Sequence, residues 1–499
     1  MTSWNRQKSA LVLGSFAVYF GAQFILRLSI SPVAELDEAE QLVLTQQLSL
    51  VYGSQPPLYT WLQWTIFQAI GVGIPGLALL KNLLLFSTYA GTYFLALSIS
   101  GDGRKATLAS LLLLLIPQVV WESQRDLTHS VLVTTVCVLT LLTLRFLQKN
   151  PTAPRFALLG FIAGIGILSK YNYALFMGAL VLAIFLCPDF RRTFRTRSAL
   201  WLPAVALATT LPHLLAALNA PSRVTADLHK FGIGGSTGGI WPILSGLGEL
   251  GVAVVSYLGP LLVVGWVVLV HRRRTHGKSG IPNTSESPTV RSWRRLLGLT
   301  ATFAVFLCAS LAIFAGVTEF KDRWMQPLLF FTPVLLVLWI RGAIDLRIFK
   351  SSVAAAVLVG LLVLSLIFGR TCISSRGRLA FPFPELAAAI QTEGLPTRII
   401  FGGDRYVAGN LRLVFPQATI LSHDTPTIPF PDYPAILAVW QPRKDGRNEE
   451  RIRSFLAQTP IDSRDTDHTP ITLSARRLYS ADEKDSLKAL IFPRKSFDE

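Results

Sequence analysis

The chain has 499 residues, of which 51% are hydrophobic and only 15% are charged. Soluble globular proteins carry about 25% charged residues, so this composition excludes an ordinary soluble protein and indicates an integral membrane protein with several spans. The net charge of +17 does not indicate a nucleic-acid partner, because much of the basic charge lies in short loops between apolar stretches, where Lys and Arg tend to stay cytoplasmic.

The first 31 residues begin with a positively charged stretch like that of a signal peptide. The apolar stretch that follows is longer than the roughly 7–15 residues of such a peptide, and no clear cleavage site follows it. We therefore expect a retained first span that enters from the cytoplasm.

The segment from Ser31 to Pro57 comes directly after this span and contains no Lys or Arg. It holds four carboxylates within six residues: Glu35, Asp37, Glu38 and Glu40. Anionic lipid would repel such a cluster, and charge inside the bilayer is costly. The pattern favours a catalytic group held at the water–lipid boundary, where a lipid-linked substrate could present its polar head.

About eleven crossings are predicted from the apolar stretches, because this number leaves every strongly basic loop on one side. They cover approximately residues 9–28, 77–99, 106–121, 127–147, 156–168, 173–187, 199–217, 250–270, 297–316, 325–340 and 352–369. Residues 56–73 are predicted instead to form an amphipathic helix in the outer interface, with Trp61 and Trp64 at headgroup level. A crossing there would place Arg104 and Lys105 outside.

Residues 376–499 lose the long apolar runs and gain charge. Strands are predicted in TRIIFGGD, ATILS, AILAVW and ITLSARRL, and helices in DRYVAGNLRLVF and NEERIRSFLAQ, which indicates a small α/β domain. The predicted fold class is therefore a mainly α polytopic membrane protein with a small C-terminal α/β soluble domain. We place the membrane domain at residues 1–372, with an outer catalytic loop at 31–75, and an extracytoplasmic domain at 373–499.

Four cysteines are too few to indicate a disulfide framework. No CxxC or HExxH motif occurs, and the seven histidines are not grouped at metal-ligand spacings. The sequence therefore predicts no cofactor, although it does not exclude a divalent metal.

Carboxylates and cations recur in the predicted outer loops. They are Asp37 and Glu38; Glu122, Arg125 and Asp126; Lys170 and Tyr171; and Lys321, Asp322 and Arg323. A reaction between a phosphate-linked donor and a hydroxyl acceptor needs both kinds of group. A carboxylate can accept the proton of the acceptor, and Lys or Arg can hold the departing phosphate.

Each of these groups also has a structural alternative. Asp37 could cap the helix that ELDEAEQLVL begins, whereas Glu35 and Glu40 are better interpreted as part of a solvated helix face. Arg125 and Asp126 could pair with each other, or Asp126 could cap the next span. The lysines and arginines of the outer loops could extend to lipid headgroups.

Five motifs occur in the same order as in a known group of enzymes: LDEAEQ, QPPLYTWLQ, RDLTHSVL, GILSKYNYALF and FKDRWMQPLLFFTP. With them the chain resembles the GT-C class of membrane glycosyltransferases, most closely the family 39 and ArnT-like branch, which transfers sugars from polyprenyl phosphates. The motifs cover nearly all of the membrane portion, and the trailing α/β domain also fits.

The resemblance implies roles for particular residues. Asp37 corresponds to the catalytic base, Glu38 is the second acid of the same pair, and Asp126 corresponds to the acid of the second outer loop. Binding of the lipid phosphate and substrate falls to Lys170, Lys321 and Arg323, with Arg125, Tyr171 and Gln55 as further candidates. The resemblance also implies inversion at the sugar carbon without a catalytic metal. Gln55 stands where many relatives carry a basic residue or His, so the aminoarabinose transfer of ArnT itself is not implied.

The sequence thus predicts an inverting glycosyltransferase of the bacterial inner membrane, with a cytoplasmic N-terminus and a periplasmic C-terminal domain. Its partners would be membrane lipids, a polyprenyl-phosphate-linked sugar donor, and a periplasmic glycolipid, lipid A-type, polysaccharide or protein acceptor. The alternatives are a lipid or sugar transporter and a non-catalytic assembly protein. A transporter would keep charges or broken helices near the middle of the membrane, and Lys81 is the clearest interior charge.

Overall fold

The computed structural model describes residues 6–225, 228–232, 240–275, 287–375, 377–422, 435–442, 447–456 and 469–493. The first ten helices are α1 (Arg6–Ile30), α2 (Leu36–Leu44), α3 (Leu58–Ile70), α4 (Ile74–Ser100), α5 (Gly103–Leu111), α6 (Ser123–Arg125), α7 (Thr128–Lys149), α8 (Ala153–Ser169), α9 (Tyr173–Leu186) and α10 (Pro188–Thr193). A π-helix at Gln118–Glu122 precedes α6.

The remaining helices are α11 (Trp201–Leu218), α12 (Pro221–Val224), α13 (Trp241–Thr275), α14 (Pro288–Phe314), α15 (Gln326–Leu329), α16 (Thr332–Trp339), α17 (Leu346–Phe368), α18 (Phe383–Thr392), α19 (Arg405–Val414) and α20 (Arg447–Leu456). The strands are β1 (Ile399–Gly402), β2 (Thr419–Leu421), β3 (Ala435–Trp440), β4 (Ile471–Arg476) and β5 (Lys484–Pro493).

The long helices confirm a polytopic membrane protein. In the described part of the chain, seven segments are long and apolar enough to cross a bilayer: Arg6–Ile30, Ile74–Ser100, Thr128–Lys149, Arg197–Leu218, Trp241–Trp266, Pro288–Phe314 and Leu346–Ile373. A pair of helices bent by 77°, Gly103–Leu115 with Gln118–Arg125, gives an eighth candidate, and three shorter apolar helices cover Ala153–Ser169, Tyr173–Leu186 and Gln326–Trp339. Each of the eleven predicted crossings falls on one of these segments, and how many of the short ones cross stays a prediction.

Helix α3 is too short to cross a bilayer. Its 13 residues extend about 20 Å at about 1.5 Å per residue, whereas the hydrocarbon core is about 30 Å thick. One face is buried through Tyr59, Thr60 and Phe67, and Trp61 and Trp64 on the opposite face are partly exposed. The predicted helix with two faces is therefore present, and its place in the outer interface stays a prediction.

Contacts divide the chain into two compact units. The first compact unit contains Met1–Gly21, Ser54–Leu58 and Asn82–Val363. The second compact unit contains Ala22–Gly53, Tyr59–Lys81 and Leu364–Glu499. The acidic segment after the first span thus groups with the C-terminal residues. The domain boundary at residue 372 was predicted from the change in composition, and it stays a prediction.

Helices α8 and α11 pack closely in the first compact unit because small residues lie between them. Gly160 and Gly164 are four residues apart on α8, so they share one face. A Cβ atom on Gly160 would lie 3.0 Å from Leu202 Cα, and one on Gly164 would lie 2.6 Å from Thr209 Cβ. Small residues at this spacing are typical of close helix packing in membranes.

The second compact unit contains a five-stranded sheet in the order β2-β1-β3-β5-β4. Strand β1 pairs in parallel with β2 and β3, and β5 pairs antiparallel with β3 and β4. Alternate residues of β1 enter different clusters, Ile400 one and Ile399 and Phe401 the other, so both faces of the sheet are covered. The predicted α/β domain and its four strands are confirmed, while α18 and β5 were not predicted.

Replacing Gly160 should test the close approach of α8 and α11. Gly160→Val has no room beside the Leu202 backbone, so we expect it to destabilise the protein by about 1–3 kcal/mol through overpacking. Thermal unfolding of the protein in detergent measures the change. Gly298→Val on α14 is the matched control, because nothing lies within 4 Å of the Cβ position there. Equal unfolding temperatures for the two variants would contradict this packing.

Candidate functional site

The acidic segment forms a short helix, α2, whose start is fixed by its own carboxylates. Glu35 is the N-cap, and Glu35 and Glu38 form a capping box in which each side chain accepts from the backbone N–H of the other. Asp37 lies in the first turn, where negative charge interacts favourably with the helix dipole. The N-cap is therefore Glu35 and not Asp37, which removes the structural alternative considered for Asp37.

The expectation that Glu35 and Glu40 form a solvated face is wrong. Glu35 is only 6% exposed, and one of its oxygens lies 3.7 Å from Arg378 Nη1. Glu40 forms an ion pair with Arg405. Neither pair can be predicted from local sequence, because the partners lie more than 300 residues further along the chain.

Glu38 lies between two cations in the interior of the second compact unit. One carboxylate oxygen accepts from Arg27 Nη2 at 2.7 Å and from the backbone N–H of Glu35 at 3.1 Å. The other accepts from Lys81 Nζ at 3.0 Å. The three side chains are 1–9% exposed. Arg27 also donates to the carbonyl oxygens of Ser31 and Val33, so it holds the chain that leads into α2.

The two cations keep Glu38 ionised. Burial alone would raise the pKa of Glu38, but the charges of Arg27 and Lys81 and the hydrogen bonds to the carboxylate outweigh it and lower that pKa to about 2. Both oxygens are engaged, which is typical of a structural ion pair. Lys81, the interior charge on which a transporter would depend, is one of the partners. Asp37, the other acid of the pair, is half-buried.

Tyr59 is a further residue beside the acidic helix, and no motif in the sequence pointed to it. It is fully buried at the start of α3. Burial, together with the nearby carboxylates of Glu38 and Asp37, raises the pKa of Tyr59 well above its usual value, so the phenol stays protonated. A hydrogen bond of 2.9 Å from Thr60 Oγ1 to Gln41 Oε1 joins α3 to α2.

Asp126 lies at a distorted turn in the first compact unit. The π-helix at Gln118–Glu122 and the single turn of α6 lead into it, and Leu127 follows with φ 62° and ψ 57°. A left-handed backbone costs a bulky residue of order 1–3 kcal/mol, and such strain and π-helical turns are frequent at functional sites. Asp126 is 8% exposed. The N-cap of α7 is Leu127, so Asp126 does not cap that helix.

A second turn, at residues 169–172, is tied to the start of α7. Lys170 Nζ donates to Ser130 Oγ at 2.7 Å, and His129 Nδ1 lies 3.2 Å from the carbonyl oxygen of Ser169. These bonds bring the ammonium group of Lys170 to the same helix end that Asp126 precedes. Tyr171 lies beside it, and its hydroxyl is 3.1 Å from His213 Nε2.

The third turn, at residues 321–326, joins the other two. Asn172 Nδ2 donates to the carbonyl oxygen of Trp324 at 3.4 Å, and Gln118 Nε2 donates to Asp322 Oδ2 at 2.8 Å. Gln326 Nε2 and Ser123 Oγ are 3.3 Å apart. These hydrogen bonds link the segments that carry the predicted site residues. The residues are Arg125 and Asp126, Lys170 and Tyr171, and Lys321 and Arg323.

The charges of these turns lie close enough to act on one another. Arg125, Arg323 and Asp322 all exert electrostatic effects on Glu122. Lys321 and Arg323 are partly exposed, as is Gln55, which precedes α3 in the same unit. The predicted site residues of the first compact unit thus form one polar region, apart from Gln55, for which no bond to the three turns is seen in the described part.

Buried amide oxygens in this region have unused hydrogen-bonding capacity. Gln118 Oε1, Asn172 Oδ1 and Gln326 Oε1 are buried and have no partner among the described residues. Leaving a buried polar group unsatisfied costs about 1–3 kcal/mol. Oxygen acceptors of this kind suit the hydroxyl groups of a sugar. The sequence carried no signal for them, because Gln and Asn are common in turns.

A metal site is not evident in the geometry. No group of three or more His, Cys, Asp or Glu side chains that could hold a metal ion occurs among the residues described by the structure.

The chain is similar to known membrane glycosyltransferases. The family model described as dolichyl-phosphate-mannose-protein mannosyltransferase matches residues 54–215. The lipopolysaccharide core galacturonosyltransferase RgtB of Rhizobium johnstonii is 33% identical over 89% of this chain and 90% of its own length. RgtA of the same organism, with the same description, is 28% identical over the same shares.

A solved structure shows the same fold. The crystal structure of ArnT from Cupriavidus metallidurans bound to undecaprenyl phosphate superposes with a TM-score of 0.55 at 15% identity. The superposition covers 97% of this chain and 98% of that protein.

Removing the charge of Glu38 should destabilise the protein in a pH-dependent way. Glu38→Gln leaves Arg27 and Lys81 buried without a counter-charge, which costs about 3–5 kcal/mol near neutral pH. Because the folded pKa of about 2 lies below the usual 4.5, the stabilising effect is complete above pH 4.5 and is lost as the pH falls toward 2. Unfolding temperatures in detergent at pH 7 and pH 3 should therefore differ most from wild type at pH 7.

The exposed Glu450 supplies the control, since Glu450→Gln should unfold like the wild-type protein at both pH values. A Glu38→Gln variant as stable as wild type at pH 7, or a deficit that does not shrink in acid, would contradict the ion pair described here.

Proposed function

This chain belongs to the ArnT-like branch of the GT-C membrane glycosyltransferases, and we propose that it moves one sugar from a polyprenyl phosphate to an acceptor outside the cytoplasm. It is a multi-pass membrane protein and a glycosyltransferase. The observation that carries the proposed chemistry is the meeting of three turns in the first compact unit, which bear Asp126, Lys170 and Arg323.

The proposed reaction is a single displacement at the anomeric carbon. The acceptor hydroxyl loses its proton to a carboxylate, its oxygen forms a bond to the anomeric carbon, and the bond from that carbon to the phosphate oxygen breaks. The bonding electrons leave with the phosphate, which changes from a diester to a monoester and gains one negative charge. One displacement inverts the configuration of the sugar.

Asp37 is the proposed base. It is half-buried in the first turn of α2, whereas Glu38 is buried between Arg27 and Lys81. An ionised carboxylate that takes the acceptor proton contributes about 10²–10⁴-fold in rate. We assign Glu38 to holding the helix and not to proton transfer.

Lys170 and Arg323 are the proposed clamp for the departing phosphate, supported by Lys321 and Arg125. Fixed cations aimed at developing charge lower the barrier, because they need no reorganisation during the reaction. The Lys170 ammonium is held by Ser130 at 2.7 Å. Asp126 and Tyr171 would orient the sugar or acceptor, and Gln55 would contact the phosphate without a charge of its own. We propose that these side chains act without a divalent metal.

The relatives suggest which substrates to test first. Two of them are described as lipopolysaccharide core galacturonosyltransferases, so we propose galacturonic acid as the sugar and a lipopolysaccharide core as the acceptor. The reaction would then occur at the periplasmic side of the bacterial inner membrane, with the polyprenyl chain lying along the spans. The amide oxygens of Gln118, Asn172 and Gln326, which have no hydrogen-bond partner within the described segments, would accept from sugar hydroxyls.

The test is transfer by purified protein in vesicles without any gradient. With polyprenyl-phosphate galacturonic acid and a lipopolysaccharide core acceptor, we expect polyprenyl phosphate and a core heavier by one galacturonic acid, detected by mass spectrometry. The reaction should continue in EDTA. Aminoarabinose and mannose donors on the same lipid should react more slowly. Faster reaction of one of these would overturn the sugar assignment, and movement of uncleaved donor across the bilayer would overturn the reaction itself.

Replacing Asp37 tests the base in the same assay. Asp37→Asn keeps the shape of the side chain but cannot accept the proton, so we expect kcat to fall by about 10²–10⁴-fold while the protein still inserts into membranes. The control is Glu393→Gln, which removes an exposed carboxylate from the second compact unit and should react at the wild-type rate. Wild-type turnover by Asp37→Asn would refute the assignment.

A further inference from the structure

Helix α19 of the C-terminal sheet domain packs directly on the acidic helix α2, without side chains to separate the backbones where they cross. A Cβ atom on Gly409 would lie 2.5 Å from Ala39 Cα, closer than real Cβ atoms approach a backbone. Glycine is therefore the residue that this crossing requires. Ala39 is two residues beyond Asp37, so the crossing point lies on the same helical turn as the proposed base.

Asn410 fixes the start of the acidic helix. Its side-chain Oδ1 accepts from the backbone N–H of Ala34 at 2.7 Å, and its Nδ2 donates to the carbonyl oxygen of Ala34 at 3.1 Å. The same Nδ2 also donates to the carbonyl oxygen of Tyr406 within α19. Asn410 is 1% exposed, so these bonds do not compete with water. A paired amide of this kind sets both the position and the orientation of the residue before the N-cap Glu35.

The other end of the acidic helix is held from the same domain. Arg412 donates to Thr45 Oγ1 at 3.0 Å and also to the carbonyl oxygen of Leu42. The side chain of Gln46 pairs with the backbone of Ile420 in β2, through two bonds of 2.9 Å each. The helix that carries Asp37 is thus bound at its start, middle and end by α19 and β2.

We propose that Gly409 and Asn410 are positioning residues for the transfer reaction, which hold α2 so that the Asp37 carboxylate meets the acceptor hydroxyl. This inference rests on the proposed function of Asp37. Apolar contacts between α2 and α19 alone would cover the loop, but directed bonds from side chain to backbone also fix the helix at its two ends. A general base works only within hydrogen-bond reach of its proton, so small displacements of α2 act on the rate of the chemical step.

The first test is Asn410→Ala in the full-length protein, in the vesicle assay. Loss of the bonds to Ala34 frees the start of α2, and a misplacement of about 1 Å can cost about 10²-fold in rate. We expect kcat to fall by about that factor while KM for the polyprenyl-phosphate donor is unchanged. A general loss of folded protein would instead lower the yield of active enzyme, which titration of active protein detects.

Asn448→Ala is the matched control. Asn448 is likewise buried and donates to a backbone carbonyl, that of Gln441. This bond joins two residues of the C-terminal segment and involves neither α2 nor α19. The Asn448→Ala variant should lose about as much thermal stability as Asn410→Ala does, and its kcat should equal that of the wild-type protein. Equal losses of kcat in the two variants would overturn a positioning role for Asn410, and so would wild-type kcat in Asn410→Ala.

A steric pair of variants provides an independent measurement. Gly409→Ala forces α19 and α2 apart, whereas Gly403→Ala forces a contact with the Trp440 side chain inside the domain, where a Cβ would lie 2.6 Å from Trp440 Cβ. We expect only Gly409→Ala to lower kcat. Backbone hydrogen exchange of residues 34–46 should be faster in Asn410→Ala and Gly409→Ala than in their controls.

The exchange experiment separates this inference from the proposed function. If the wild-type protein does not cleave the donor but exchange in residues 34–46 rises as expected, the function is wrong and the attachment of α2 is right. If the wild-type protein is active and neither exchange nor kcat responds to Asn410→Ala, the positioning role is wrong and the function is right.

Discussion

The ion pairs of the buried Glu38 carboxylate with Arg27 and Lys81 are the interactions on which the position of the acidic helix α2 depends. Taking three charges out of water is costly, and their attraction offsets this cost only when the geometry is good and further hydrogen bonds are made. Here the backbone N–H of Glu35 and the carbonyl oxygens of Ser31 and Val33 provide them. Helices α1, α2 and α4 are tied at one point as a result, so the loop after the first span, which carries the proposed base Asp37, acquires a fixed position.

This constraint gives the two adjacent acids, Asp37 and Glu38, different surroundings. Side chains of neighbouring helical residues point about 100° apart, so Glu38 can face the interior while Asp37 stays half-buried. The capping box gives Glu38 a second structural task, because it also accepts from the N-cap backbone. An acid with two cations and a pKa near 2 is a poor base at neutral pH, since catalysis favours a pKa near the working pH.

Hydropathy, segment length and residue periodicity were sufficient to predict the long apolar helices, the amphipathic α3 and four of the five strands seen in the described residues. These signals are local, so they carry no information about partners distant in sequence. The pairing of Glu35 with Arg378 and of Glu40 with Arg405 joins residues more than 340 positions apart in the chain. The charges Arg27 and Lys81 inside apolar stretches were the one usable signal, because an isolated charge in a membrane helix implies a partner.

The electrostatics of the proposed reaction explain why cations, once fixed, act mainly on the rate. The donor phosphate carries one negative charge as a diester and gains a second as the sugar leaves, so each fixed cation interacts more strongly with the transition state than with the bound donor. An interaction that strengthens in this way raises kcat instead of only tightening binding. Lys170, bonded to Ser130 beside the strained turn at Leu127, is already ordered before the charge develops. The contact proposed for the neutral Gln55 differs in this respect, because an uncharged group interacts about equally with the donor phosphate and the product phosphate.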